Sequence, residues 1–227
     1  MQATPDIIEE RDESGRLLGR TEFVGGQPHG RLQRFWPMGL LQLEAHYQEG
    51  RLHGLLSLFD TEGNPVQTAE YHEGLQHGLT RVFQRGMCMA EQQYVQGLLH
   101  GESVSYDETG VPTARLRHRA GELDGLAQFF LHGRLVRKVP YKSGLIEGEA
   151  VDYDIEGAVV QTVNHHANLP HGPTRRYWPD GGLMEEVIYR QGKPVSPPSR
   201  FNAEGHAQDA EQATPGLLAR LEKLVRG

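Results

Sequence analysis

The sequence predicts an all-β fold: an elongated single antiparallel sheet of about seven to eight stacked β-hairpin repeats, with a short C-terminal capping helix. Three observations support this fold class: a regular period, an alternation of apolar and polar side chains, and turns that end in glycine. The period is set by a glycine that recurs every 23 or 24 residues, and an interval of this length is the mark of a repeat protein. The recurring glycines are Gly30, Gly54, Gly78, Gly101, Gly125, Gly148 and Gly172.

Two columns of aromatic residues follow the same period. The first column lies seven residues before each glycine and comprises Phe23, Tyr47, Tyr71, Tyr94, His118, Tyr141 and His165. The second lies five residues after each glycine and comprises Phe35, Phe59, Phe83, Tyr106, Phe130, Tyr153 and Tyr177. We interpret the columns as ladders of same-face aromatic side chains that stabilise a sheet. A stacking surface for bases or sugars is the alternative.

The residues between the glycines alternate in polarity as a half-buried strand does. Two residues before each first-column aromatic the side chain is mostly apolar, as at Ala45 and Ala69. Three residues before it the side chain is polar in every repeat, as at Glu44 and Thr68. An alternation with a period of two predicts a strand with one packed face and one wet face.

Short turns link the predicted strands into hairpins. The stretches 60–63, 107–110, 154–157 and 202–205 each begin with Asp or Asn and end with Gly, which suits a type I turn. The link to the next hairpin contains two glycines, which allow backbone conformations that other residues adopt at a cost. We therefore predict one hairpin per repeat.

The pattern Y-x-x-G-x-x-H-G-x-x-x-x-[YF]-x-x-x-G resembles the bacterial variant of the MORN repeat over about residues 20–205. Asp124, Glu147 and Asn168 depart from this pattern, and the last copy, from Tyr189, is degraded. The resemblance implies a role like that of bacterial antitoxin proteins, or of immunity proteins paired with type VI secretion effectors of the phospholipase D type.

Composition and charge narrow the choice of partner. Residues 1–110 carry 8 Lys or Arg against 16 Asp or Glu, whereas residues 111–227 carry 15 against 14. This balance disfavours nucleic acid and simple docking to anionic lipid, which both require a basic surface. The single cysteine, Cys88, allows neither an internal disulfide nor a cysteine metal site. No stretch reaches the roughly 18–20 apolar residues of a transmembrane segment.

The chain divides by pattern into an N-terminal lead-in segment (1–22), the repeat array (23–205), a polar linker (206–213) and a C-terminal helix (214–227). In the last segment Thr214 suits an N-cap and Leu217, Leu221 and Leu224 share one helix face, so we expect it to cover the open sheet edge. A partner-binding helix is the alternative. The acidic N-terminus lacks the features of a signal peptide. We expect a cytoplasmic protein as the chain stands, and a periplasmic one if a signal has been removed.

The sequence predicts no catalytic residue, metal site or cofactor. It contains none of the common catalytic or nucleotide-binding motifs. A histidine precedes the glycine in five repeats, but equivalent positions two strands apart are about 9–10 Å from each other. Such a column cannot share one metal ion, because zinc–histidine bonds are about 2 Å long.

The most consistent function is therefore a protein-binding module, specifically an immunity or antitoxin protein that neutralises a toxic effector, with a membrane-associated or assembly scaffold as the alternative. The phosphate-binding cleft of a phospholipase D-type effector should be electropositive, so acidic residues on the polar face could steer association. These candidates are Glu44, Glu70 and Glu91. Arg115 and Arg117 form a basic patch that could mark an acidic partner. Solvated surface charge is the alternative for both sets of residues.

Overall fold

The computed structural model describes residues 4–208, and every regular element in that range is a strand. The all-β prediction is confirmed for this range, and the predicted helix at 214–227 lies outside it. The chain divides into two compact units. The first contains the residues up to Gly133 together with Tyr141–Gly144, and the second contains Arg134–Pro140 and the residues from Leu145 onward.

The first unit is an open antiparallel sheet in which consecutive strands pair from β1 to β11, and β12 pairs with β10. Its strands are β1 (Asp6–Arg11), β2 (Leu17–Val24), β3 (Gln27–Phe35), β4 (Leu41–Gln48), β5 (Arg51–Phe59), β6 (Pro65–His72), β7 (Leu75–Gln84), β8 (Met87–Val95), β9 (Leu98–Tyr106), β10 (Pro112–Arg119), β11 (Glu122–Leu123) and β12 (Gly125–Leu131).

The second unit is built in the same way. Strand β15 pairs with β13 and β16, β17 lies between β16 and β18, and β18 pairs with both β19 and β20. Its strands are β13 (Arg134–Lys142, whose end belongs to the first unit), β14 (Leu145–Ile146), β15 (Gly148–Tyr153), β16 (Val159–His166), β17 (Leu169–Tyr177), β18 (Leu183–Arg190), β19 (Lys193–Pro194), β20 (Ser199–Phe201) and β21 (Ala207–Gln208).

The thin core of the first unit is a row of side chains that crosses the strands on one face, here called the apolar row. Ala45 pairs with Leu32 and Leu56, and Ala69 pairs with Leu56 on the next strand. The two alanines are only 1% and 0% exposed, because the larger leucines beside them cover their methyl groups. The row continues through Thr80, Gln92, Ser103 and Leu116.

A bulge occurs at the second glycine of each repeat, and Gly101 shows why glycine is needed there. Its φ is +100°, a left-handed conformation that side chains with a Cβ rarely adopt. A Cβ at this position would also lie 2.3 Å from Gln93 Oε1, which belongs to the neighbouring strand. The glycine therefore provides both the backbone angle and the space for the side chain that crosses it.

The two kinds of turn use different chemistry. In the loop after β5, Asp60 Oδ1 accepts hydrogen bonds from the backbone amides of Glu62 and Asn64 at 2.9 and 2.8 Å. In the tight turn after β4, Glu49 and Gly50 both have positive φ, 50° and 76°, as a type I′ turn requires. Each turn thus positions the next strand for antiparallel pairing.

Candidate functional site

The candidate site is the face opposite the apolar row, which carries a second row of side chains, here called the polar row. In the first unit the paired residues are Arg20, Gln33, Glu44, Ser57, Thr68, Arg81, Glu91, Val104, Arg115 and Gln128. In the second unit they are Lys138, Val151, Thr162, Arg175, Glu186 and Ser199. Residues aligned in this way stand one strand spacing apart, about 4.8 Å.

The two aromatic columns lie on opposite faces of the sheet. In the first column, His118 contacts Ser103 of the apolar row, with Nδ1 3.2 Å from the hydroxyl. In the second column, Tyr106 donates a hydrogen bond to Glu91 of the polar row. The second column therefore shares its face with the polar row and contributes aromatic surface to the candidate site.

Glu91 is at the centre of a charged network in the polar row. Arg81 Nε donates to its carboxylate at 2.8 Å, and the Tyr106 hydroxyl donates at 3.1 Å. The hydrogen bond from Arg81 and, to a smaller extent, the one from Tyr106 lower the pKa of Glu91. Burial and the bond to Glu91 raise the pKa of Tyr106. Both carboxylate oxygens of Glu91 are thus committed within the sheet.

The other two acidic candidates also make contacts within the sheet. Glu44 accepts a hydrogen bond from Gln33 Nε2 at 2.8 Å, and Arg31 Nε lies 3.9 Å from the same oxygen. Glu70 faces the bulge glycine Gly78, where a Cβ would lie 2.2 Å from its carboxylate oxygen. The structure therefore brings Glu44 and Glu91 into one row and places Glu70 beside it, over a bulge.

The two basic candidates also lie against residues of neighbouring strands. Arg115 belongs to the polar row, and its guanidinium lies 3.5 Å from Glu102. Arg117 extends its side chain over Gly125, where a Cβ would lie 3.0 Å from its Cδ. The basic patch that the sequence indicates is partly neutralised by an acidic neighbour on the adjacent strand.

A histidine cluster was missed by the sequence reasoning. The ring centroids of His53 and His72 are 4.8 Å apart, and those of His72 and His77 are 5.8 Å apart. Equivalent positions of successive repeats are two strands apart, whereas His72 lies on the strand between His53 and His77. In residues 4–208 no group of three or more His, Cys, Asp or Glu side chains is arranged to hold a metal ion.

A cleft on the polar face of the second unit was also missed. It has a volume of about 600 Å³ and lies between Tyr153 and Tyr177, with Thr162 on the strand between them. Glu149 and Asp180 also line this cleft. Its signal in the sequence is small: Thr162 is short where most repeats carry a long charged side chain at the same position.

Comparisons with known proteins agree with the repeat architecture. Residues 170–191 match the family model described as the MORN repeat variant, which supports a MORN-like repeat protein with a binding role. A search of curated proteins finds no significant match to the chain. Within residues 4–208 no helix is long and apolar enough to cross a membrane.

Among solved structures, the chain is similar to parts of two TarM structures. One, a crystal structure of TarM, is 16% identical over 42% of this chain and 19% of that chain, with a TM-score of 0.31. The other is a variant of S. aureus TarM in complex with fondaparinux, alpha-GlcNAc-glycerol and UDP. It is 10% identical over 62% of this chain and 19% of that chain, with a TM-score of 0.22. The chain thus spans about a fifth of the length of these structures.

Proposed function

We propose that this chain is a non-catalytic protein-binding repeat protein that neutralises a toxic effector, as an immunity protein does. The observation that carries the proposal is the polar row, in which mostly polar side chains of successive strands, several of them charged, are held in register on one face. Hydrogen bonds such as Arg81–Glu91 and Arg175–Glu186, at 2.8 and 2.7 Å, fix these side chains before a partner arrives. A preorganised surface loses little side-chain entropy on binding.

The effector that fits best is a phospholipase of the phospholipase D type. The resemblance of the repeats to those of immunity proteins supports this class. Charge supports it as well, since residues 1–110 carry twice as many acidic as basic residues. A phosphodiesterase cleft is electropositive because it binds phosphate, so an acidic partner is attracted to its mouth.

Co-expression with the product of the neighbouring gene, which we expect to be a toxin, tests the proposal. We expect the chain to restore growth of cells that produce the toxin, and to form a stoichiometric complex with the purified toxin. Protection should require no catalysis by this chain, so it should increase with the molar ratio of the chain to the toxin. A chain that folds but neither binds nor protects against the adjacent toxin would exclude an immunity role and favour the scaffold function.

A triple reversal, Glu44, Glu70 and Glu91 to Lys, tests the contribution of the acidic candidates to that complex. The variant must first be shown to fold, because these side chains contact Gln33, Gly78 and Arg81. If the folded variant associates with the toxin as fast as the parent, with the same salt dependence, these residues do not steer binding.

A further inference from the structure

The cleft between Tyr153 and Tyr177 exists because of one short side chain in the polar row. In the first unit, Glu91 and Tyr106 are 15 residues apart and joined by a hydrogen bond. The cleft beside them measures about 300 Å³. In the second unit, Thr162 and Tyr177 have the same separation in sequence. Because threonine cannot reach the tyrosine ring as glutamate does, the space there is about 600 Å³.

The walls of this cleft combine aromatic and acidic groups. Tyr153 and Tyr177 come from strands on either side of β16, so their attachment points are about 9–10 Å apart. That separation admits one flat group between the rings. Glu149 and Asp180 supply carboxylates at the margin. The guanidinium of Arg175 in the polar row donates to Glu186 at 2.7 Å and also interacts electrostatically with Glu149.

The floor of the cleft carries a polar atom with nothing bound to it. Thr162 is 6% exposed, and within the described residues its Oγ1 has no hydrogen-bond partner. A buried hydroxyl in this state is costly, and rotation about χ1 would turn it from its shielded position toward a donor that enters the cleft, which would remove the cost. The site thus holds a hydroxyl that can act as an acceptor at its base, as well as acidic groups at its margin.

The aromatic wall already interacts with a cation in this structure. Lys138 Nζ lies 5.4 Å from the centroid of the Tyr153 ring, on the side of β13. The cleft lies on the other side of β15, next to β16. Tyrosine rings attract cations through the negative potential of their faces, so the side of Tyr153 that faces the cleft offers a second cation position.

We propose that this cleft binds an arginine side chain of the partner protein. The inference rests on the protein-binding function proposed above and names the group that the second unit recognises. A guanidinium is flat enough to lie between Tyr153 and Tyr177, and its charge complements Glu149 and Asp180. Its N–H groups supply the donor that Thr162 lacks. Lysine offers no planar group to lie between the rings, and an uncharged planar group would not add positive charge beside the carboxylates.

Titration of the full-length chain with the peptide acetyl-Gly-Arg-Gly-amide tests the proposal without the partner. Backbone amide chemical shifts should change saturably at Thr162 and at residues of the adjacent strands, with weak affinity. The citrulline peptide has the same shape without the charge and should bind about tenfold more weakly, because the charge-assisted hydrogen bonds are lost. Equal binding of the two peptides, or no saturable shift, would overturn the proposal.

Three variants localise the binding. Thr162→Glu should abolish it, because the new carboxylate can reach Tyr177 and Arg175 as Glu91 reaches Tyr106 and Arg81. Thr162→Val should weaken binding about fivefold by removing the acceptor. Thr174→Val is the matched control, since within residues 4–208 its hydroxyl is also buried without a partner, but Thr174 pairs with Val163 and lies on the face opposite Thr162.

The outcomes separate this inference from the proposed function. If the arginine peptide binds as described but no toxin does, the cleft is real and the immunity role is wrong. If a toxin binds and Thr162→Glu leaves its affinity unchanged, the cleft is not part of the interface. Equal loss of peptide binding in Thr162→Val and Thr174→Val would also reject the assignment.

Discussion

Tyr106 donates a hydrogen bond of 3.1 Å from its phenol to Glu91 Oε2, joining the second aromatic column to the polar row. Arg81 donates to the other oxygen of the same carboxylate at 2.8 Å. Because the three residues lie on β9, β8 and β7, the contacts connect three consecutive strands through side chains. Stability at this place therefore depends on the charge of Glu91.

Lowering the pH should weaken this network. Arg81 holds the pKa of Glu91 below its ordinary value of 4.5, so the stabilising contribution is complete above that pH. It is lost as the pH falls through the depressed pKa. Glu91→Gln should cost about 0.5–1.5 kcal/mol at neutral pH, a small figure because the carboxylate is partly exposed.

Urea unfolding of both proteins at neutral pH and at about pH 3 measures the effect. The difference in free energy of unfolding between the parent and Glu91→Gln should shrink at the lower pH. A constant difference would show that the ionised form of Glu91 contributes nothing to stability.

Replacing Gly101 should destabilise the chain through its backbone angle. At a φ of +100°, Gly101→Val should cost about 1–3 kcal/mol in free energy of unfolding. The added Cβ would also meet Gln93 Oε1, which is the end of a flexible side chain. Adding Gln93→Ala removes that contact and should leave most of the loss in place. Full recovery in the double variant would mean that crowding, rather than φ, causes the loss.

Ala120 is a position where a substitution should stabilise the chain. It has a φ of 50° and precedes Gly121 at 90°, so the pair forms the centre of a type I′ turn. Asparagine adopts this conformation more readily than alanine, and Asn-Gly is a preferred pair in such turns. Ala120→Asn should raise the free energy of unfolding by about 0.5 kcal/mol, and Ala120→Val should lower it. Thermal unfolding of the two variants should shift the midpoint in opposite directions.

The sequence contains enough to predict the hairpins and the polar row, but not the side-chain contacts that join the second aromatic column to that row. Stepping back three residues from each first-column aromatic finds Glu44, Glu91 and Arg115, which the strand pairing does align. The bulge at each second glycine changes the register by two residues, as between the pairs Gln92–Ser103 and Tyr94–Leu99. A change of two residues leaves the alternation of faces intact, so the face of Tyr106 follows from counting, whereas its contact with Glu91 depends on the register of the strands.

The contacts missed at the candidate site have the same physical origin. His72 joins the histidine cluster from an intervening strand, so a comparison of equivalent repeat positions does not include it. The cleft at Thr162 comes from the size of one side chain among its neighbours, which a pattern of residue types does not reveal. Both depend on cross-strand distances, and these become available only when the register is known.

The contacts of the acidic candidates change how the steering hypothesis should be tested. Glu44 and Glu91 are 28% and 32% exposed and bonded within the sheet, so reversing their charge risks damage to the fold. Glu49 and Glu73 are exposed turn residues of the same unit and are not part of the polar row. They line a cleft of about 550 Å³ at the turn edge, beside His53 and His72. Their charge acts on an approaching partner without a role in strand pairing.

Reversal of both turn residues, Glu49→Lys with Glu73→Lys, should slow association with the toxin about tenfold at low salt and less at high salt, because electrostatic steering is screened by ions. The dissociation rate and the unfolding midpoint should change little. Stopped-flow measurements at two salt concentrations give both rates. The matched control, Glu156→Lys with Glu204→Lys, makes the same charge change at exposed turn residues of the second unit. An equal slowing in the control would show that net charge alone, rather than the acidic first unit, determines the association rate.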